Sequence, residues 1–329
     1  MILAGDIGAT NTRLGLFSRQ QGARLPLLQK DFKNREYSGL EALLQELPVD
    51  PAGITDVCLG VAGPVIDGRS CVTNLNWELD SESLRKRYPD AQVFLLNDME
   101  ATAYGVGLLE ADELFVLNPG VRQRCATAGL IAAGTGLGES ILYRDGGKVV
   151  PLPAECGHCD FAPNTDLETA LLCYLRARYG HVSVERVLSG PGLKLIYQFL
   201  LESGRARASA EVAERMRTGD SSAVIAAAAM KHECEACVEA LELFAGIYGA
   251  ESGNLALRAL AHGGVFIGGG IAPKIREKLA EGTFLRAFRF KGRMSSLLEA
   301  IPVYVILNQS TALAGAAHYA ISMREDGQK

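Results

Sequence analysis

Apolar residues fill positions 1–4 and return at Leu14, Leu16 and Phe17, and between them lies Gly5–Arg13, GDIGATNTR. An apolar run that stops at a glycine and resumes after Thr-Asn-Thr predicts strand, tight turn, strand. Leu25–Phe32 reads as a further strand. Leu40, Leu43, Leu44 and Leu47 recur at helical spacing in Gly39–Leu47, which ends before Pro48. Asp56–Val61 is an apolar run closed by Ala62-Gly63-Pro64, and Val65–Gly68 predicts a short strand and turn. Val72–Leu79 carries Thr73, Asn74, Asn76 and the single tryptophan, Trp77. Ser81–Tyr88 reads as a serine-capped helix, Gln92–Leu96 as a strand, and Met99–Leu109 as a helix. Asn97-Asp98 falls between those last two, at the carboxyl end of the strand. Strands and helices thus alternate through the first hundred or so residues, the pattern of an α/β layer. Ligands of open α/β sheets gather at the carboxyl ends of strands.

The same grammar returns in the middle of the chain. Leu114–Asn118 and Ala126–Ala133 read as strands. The second runs into Gly134-Thr-Gly-Leu-Gly138, after which Glu139–Tyr143 looks extended and Asp145-Gly146-Gly147 predicts a turn. This glycine loop joins strand to strand. A dinucleotide fingerprint needs a helix straight after its glycines, so that reading fails. No GxxxxGKS/T occurs either. Pro151–Pro163 is a polar loop, Thr165–Tyr179 a helix, and Ser189-Gly-Pro-Gly192 opens another through Leu201. Ala208–Leu260 reads as almost wholly helical. Val265–Ile267 predicts a strand before Gly268-Gly-Gly270, Lys274–Glu281 a helix, Pro302–Leu307 a strand and Thr311–Met323 a closing helix.

Composition narrows the class. The chain has 329 residues, enough for about two domains, with 48% hydrophobic and 22% charged residues. A net charge of −5 and the lack of a basic stripe argue against a nucleic-acid partner. No basic region precedes the first apolar run, and no apolar stretch reaches the ~18 residues of a membrane span. Eight cysteines without an export signal suggest reduced thiols and a cytoplasmic protein.

The first hairpin offers specific chemistry. Successive N–H groups in a glycine turn form an anion nest, and small residues let a ligand approach the backbone. Asp6 beside such a nest fits a phosphate that travels with a divalent cation. The alternative, a hairpin turn with an incidental Asp, stays open at this point. Two hairpins of this kind could hold one polyphosphate from both sides.

The stretches GDIGATNTR (5–13), LLND (95–98), AAGTGLGES (132–140), ECGHCDFAP (155–163), HVSVERVLSGPGL (181–193), SGNLAL (252–257) and GGVFIGGGIAP (263–273) run in one order from end to end. In that order the chain resembles the bacterial ATP-dependent glucokinases of the actin/hexokinase superfamily. The resemblance implies a two-lobed α/β, ribonuclease H-like fold with a cleft between lobes. The small lobe would be residues 1–108 with about 301–329, and the large lobe 109–300 with a helical insertion. It implies that Gly5, Asp6, Gly8, Ala9 and Thr10, with Gly134, Thr135 and Gly136, form the two phosphate hairpins, and that Gly268, Gly269 and Gly270 pack near adenosine. It matches Asn97, Asp98, Glu155, His158 and Glu185 to sugar contacts and Asp98 to the catalytic base. Asp6 would hold Mg2+, through water. The substrates would be glucose and ATP, and the assembly a homodimer. Ala9 departs from the pattern, standing where many members have a second glycine.

Each residue has a plainer reading by itself. Asp98 would cap the helix that follows, Glu185 would be a surface ion-pair residue, and His158 a satisfied loop histidine. Two CxxC pairs, Cys156/Cys159 and Cys234/Cys237, raise a zinc or redox alternative. The first lies in a loop and the second reads as two small core residues within a helix. A kinase for another hexose and a sugar sensor that has kept the fold are the remaining alternatives.

Overall fold

The computed structural model describes residues 1–72, 75, 77–146 and 148–326. Thr73, Asn74, Asn76 and Gly147, parts of two of the stretches read above, lie outside them. Two compact units emerge: residues 1–111, 148–152 and 308–329, and residues 112–147 and 153–307. The division of the sequence at 108 and about 301 differs from this in two places. Val303–Ile306 belongs to the second unit, where it pairs with two of that unit's strands, and Lys148–Leu152 belongs to the first.

The first unit begins with β1 (Ile2–Ile7), β2 (Asn11–Phe17) and β3 (Leu28–Lys33), followed by α1 (Leu40–Gln45) and β4 (Asp56–Val61). A two-stranded ribbon, β5 (Arg69–Cys71) and β6 (Glu78–Asp80), leads to α2 (Ser81–Arg87), β7 (Gln92–Asn97) and α3 (Asp98–Val106). The sheet order is β3-β2-β1-β4-β7. β1 pairs antiparallel with β2 but parallel with β4, and β4 parallel with β7. Register puts Ile7, Val61 and Asn97 in one row. The carboxyl ends of three parallel strands therefore share an edge, and the turns that follow them start side by side. Buried Leu3, Leu14, Leu43 and Leu59 pack on one side of the sheet, and Ile2, Ala4, Ala101 and Leu313 on the other.

The second unit contributes β8 (Leu114–Asn118), β9 (Ala128–Ala133) and β10 (Leu137–Asp145). After β11 (Lys148–Leu152), which belongs to the first unit, come α4 (Asp166–Tyr179) and α5 (Gly190–Glu202). The stretch read as one helical run, Ala208–Leu260, is three helices: α6 (Ala210–Thr218), α7 (Ser221–Met230) and α8 (Glu235–Ala259). Ser209 and Asp220 cap the first two with their side chains, which ends the helical run that alanine content alone suggests. Cys234 is consequently the residue that precedes α8, and Cys237 lies in its first turn; both are buried. Next are β12 (Val265–Gly268), α9 (Arg276–Ala280), α10 (Thr283–Arg289), α11 (Ser295–Ala300) and β13 (Val303–Ile306). Five strands run β10-β9-β12-β13-β8, with β12 parallel to both neighbours. The core is apolar along α5 and α8, from Leu193 and Ile196 to Phe244 and Tyr248.

The closing helix, α12 (Thr311–Asp326), returns to the first unit. It lies against α3 closely enough that a Cβ on Gly315 would sit 1.8 Å from the Ala101 carbonyl oxygen. That contact admits only glycine, and it fixes the helix whose first residue is Asp98.

Candidate functional site

In the first unit the turn after β1 is closed by Gly8 N–H donating to the Asn11 carbonyl at 3.0 Å. Asn34, 1% exposed, braces this turn from behind. Its backbone N–H donates to the Thr10 carbonyl at 3.0 Å, its side-chain Nδ2 to the Gly8 carbonyl at 2.7 Å, and its Oδ1 accepts from Thr12 Oγ1 at 2.8 Å. Those contacts occupy turn carbonyls. Thr10 is exposed, and Gly8 and Ala9 are half-buried. Gly5 lies one turn short of this, inside β1, where a Cβ would come 2.6 Å from Leu59 Cδ2. Its glycine identity is thus set by core packing, which accounts for that residue independently of any phosphate.

Asp6 sits opposite Arg13 and beside Gly60. Burial raises its carboxyl from 3.8 to about 6, against the lowering pull of Arg13. Arg13 gives Asp6 little more than its field, because its guanidinium is bonded to Asp31 at 2.8 and 3.1 Å and to the Gln309 carbonyl. A desolvated carboxyl whose nearest cation is committed elsewhere is a fitting place for a divalent ion that keeps its own waters.

At the adjoining strand end, Asn97 accepts from Met99 N–H at 2.8 Å, and Glu100 accepts from Asn97 N–H at 2.9 Å. This is a capping box. Asn97 Nδ2 also donates to the Gly63 carbonyl at 3.0 Å, tying the turn after β4 to the start of α3. Capping is therefore done by Asn97 and Glu100. The plain reading of Asp98 as the cap is corrected: it is the first residue of the helix, half-buried at the shared edge, with its Cα 3.9 Å from the Cβ position of Gly60.

The second unit gathers the other candidates. Gly134 N–H donates to the Gly136 carbonyl at 2.9 Å, closing the turn between β9 and β10. The Gly134 carbonyl accepts from Gly190 N–H, 2.8 Å away at the start of α5. Thr135 is exposed. Glu185 Oε2 accepts from Leu137 N–H at 2.9 Å and would lie 2.5 Å from a Cβ on Gly136. The same residue donates its N–H to the Gly157 carbonyl at 2.9 Å, and its carbonyl accepts from Ser189 Oγ at 2.8 Å. Glu185 is thus not a surface ion-pair residue but a joint between the glycine turn, α5 and the loop at 156–158. Glu155 and His158 flank that loop, both exposed, 4.0 Å apart. Gly268 ends β12 beside Ala132. Gly269 follows at φ +80°, with the position of its absent Cβ 2.3 Å from the Ala133 carbonyl oxygen. Gly270 is exposed with open space around it.

Asn34 and Glu139 carry no local sequence signal that marks them out. Glu139 is 1% exposed, on β10 two residues past Leu137, with Arg258 3.7 Å away. Burial and Glu251 hold its carboxyl far above the usual carboxylate range. Among the described residues no group of three or more His, Cys, Asp or Glu is placed to hold a metal, which leaves the zinc reading of the CxxC pairs unsupported. Nor is any described helix long and apolar enough to cross a membrane.

The arrangement defines a class: the two-lobed actin/hexokinase-like sugar kinases. A glucokinase from an Antarctic psychrotroph superposes with a TM-score of 0.82 at 30% identity, each chain covered to 98%. A ROK family glucokinase from Streptomyces griseus, solved with glucose and AMPPNP, shares the fold at a TM-score of 0.65 and 21% identity, over 98% of this chain and 99% of that one. Within the class the assignment is narrower. The Glucokinase family matches residues 3–323, and the glucokinase of Nostoc sp. is 40% identical over 96% of this chain and 98% of its own length. The chain belongs to the glucokinase family.

Proposed function

We propose that this protein transfers the γ-phosphoryl group of ATP to the 6-hydroxyl of glucose, giving glucose 6-phosphate and ADP, with Asp98 as the base. The observation that carries the assignment of Asp98 is its place. It starts a helix whose cap is supplied by Asn97 and Glu100, at the edge where β1, β4 and β7 all end.

Phosphoryl transfer has a loose transition state, so positioning and charge stabilisation carry most of the rate. The sugar hydroxyl becomes acidic as its bond to phosphorus forms, and the Asp98 carboxylate accepts that proton. Asn97, Glu155, His158 and Glu185 pair with the other ring hydroxyls. A sugar that leaves one of these polar groups unpaired is penalised. With the Gly8 and Gly134 N–H groups closing their own turns, backbone N–H groups of Ala9, Thr10, Thr135 and Gly136 hold phosphate oxygens, and Gly268–Gly270 provides the backbone against adenosine. Mg2+ bound with ATP supplies neutralisation of phosphate charge, and Asp6 is the residue to hold its water shell. The same reading places the protein in the cytoplasm, in keeping with eight unpaired cysteines, and takes a homodimer as its assembly.

The test is ADP release with ATP and Mg2+ across glucose, mannose, fructose and N-acetylglucosamine, beside Asp98→Asn. Turnover on glucose that falls about 10²–10⁴-fold in the variant, with glucose binding kept within a few-fold, is expected. Preferred turnover on another sugar would replace the substrate. An active Asp98→Asn would remove the base.

A further inference from the structure

The pair Cys156/Cys159 is not used by the reading above, and it is accessible where the other CxxC pair, Cys234/Cys237, is buried. Cys58, Cys234 and Cys237 are buried, whereas Cys159 is exposed and Cys156 half-exposed. They stand three residues apart on one 3-10 turn, closed by Cys159 N–H donating to the Cys156 carbonyl at 3.0 Å. A turn of this kind brings the Cα atoms within about 7 Å, the span a disulfide bridges. Cys159 also lines a pocket of 370 Å³ with Asp160, Val184 and Arg258.

We propose that Cys156 and Cys159 form a dithiol site for low-molecular-weight disulfides, and that its oxidation displaces Glu155 and His158. The Cys159 thiolate attacks one sulfur of the small disulfide, forming a mixed disulfide and releasing one small thiolate. The Cys156 thiolate then attacks Cys159 Sγ, which forms the protein disulfide and expels the second small thiolate. Two protein thiols are oxidised, one small disulfide is reduced to two thiols, and the two cysteine protons go to the departing thiolates. Burial and the neighbouring Glu139 hold the Cys156 thiol above its usual range, which suits the second, intramolecular step rather than the first.

The displacement follows from what is pinned. Bond formation draws the sulfurs to about 2.05 Å. The Gly157 carbonyl is held by Glu185 N–H and the Cys159 carbonyl by Val184 N–H, each at 2.9 Å. Gly157 has no room to move toward β10, since even a Cβ there would meet the Leu137 carbonyl oxygen at 2.2 Å. The turn therefore relaxes through Glu155 and His158, whose side chains are 75% and 65% exposed.

The kinetic consequence rests on the sugar role proposed for those two residues; the chemical and structural consequences do not. The experiment uses the full chain with the other exposed cysteines, Cys71, Cys125 and Cys173, replaced by serine. It is treated with oxidised glutathione or with dithiothreitol. Expected are loss of two hydrogens, a Cys156–Cys159 cross-linked peptide, and a shifted His158 ring resonance, assigned through its loss in His158→Gln. Glucose KM should rise about tenfold with ATP KM nearly unchanged, reversibly, and Cys159→Ser should not respond. A stable glutathione adduct without the cross-link overturns the proposal, and so does a cross-link that leaves the His158 resonance unmoved. A cross-link and a shifted resonance in a protein that phosphorylates no sugar when reduced would uphold the dithiol site and sink the sugar reading instead.

Discussion

The two glycine turns, after β1 and after β9, look alike as strings, strand–Gly/Thr–strand, and are built differently. The first is braced by a neutral amide. Asn34 binds the Gly8 and Thr10 carbonyls and the Thr12 hydroxyl, and carries no other proposed task. The second is braced by the carboxylate of Glu185, whose backbone N–H also holds the loop of Glu155 and His158. Their acids differ too. Asp6 lies on the incoming strand, half-buried, with Arg13 drawn off to Asp31. Glu139 lies on the outgoing strand, with neither carboxylate oxygen hydrogen-bonded. Under the roles proposed above, a turn that serves one ligand has a brace of its own, while a turn braced by a residue with two tasks ties two ligand sites together.

Three substitutions test that contrast. The largest effect is expected at Asp6. Asp6→Asn should cut turnover about 10²–10³-fold, as loss of a charge aligned with phosphate transfer does. It should also raise the ligand-free Tm. The folded pKa of Asp6 is raised to about 6, so the native state favours the protonated form. Wild-type stability therefore falls as pH rises from about 4 to 6, and the Tm advantage of the asparagine opens over that interval and stays above it. A Tm gap that closes with rising pH would contradict the desolvated carboxyl.

Next is Glu185. Glu185→Gln keeps an oxygen to accept from Leu137 N–H, whereas Glu185→Ala leaves that donor unsatisfied. Both should raise glucose KM about tenfold or more, but only the alanine should raise ATP KM, by several-fold. Equal ATP KM in the two variants would separate the glycine turn from the sugar loop and break the comparison.

The smallest effect belongs to Glu139. Glu139→Gln mimics the protonated form that burial favours. At about pH 5 the variant and wild type should melt alike, and at about pH 9 the variant should be more stable by a few degrees, because only the wild type must then hold a desolvated charge. Thermal melts at both values decide it.

Much of the architecture was legible along the chain. Alternation of apolar strands with helical spacing marks the α/β layer, and Gln92–Leu96 followed by Asn97-Asp98 places a carboxylate at a strand end. The long alanine-rich stretch misled, because alanine favours helix everywhere, and only Ser209 and Asp220, two ordinary polar residues, show where helices restart. Asn34 gave no sign, since a buried asparagine looks the same in sequence as an exposed one. Gly5 pointed to a ligand while its immediate constraint is the side chain of Leu59.

By itself the sequence determined the period of most elements, the two glycine turns that join strand to strand, and the order of the motifs that define the glucokinase family. These are local, or are carried by identity and order. Tertiary structure alone decided which of Asn97 and Asp98 caps α3, that Arg13 turns to Asp31 and leaves Asp6 desolvated, and that Glu185 joins a turn and a loop. Hydrogen-bond partnership and desolvation depend on groups brought together from distant parts of the chain, and no window of sequence contains both members of such a pair.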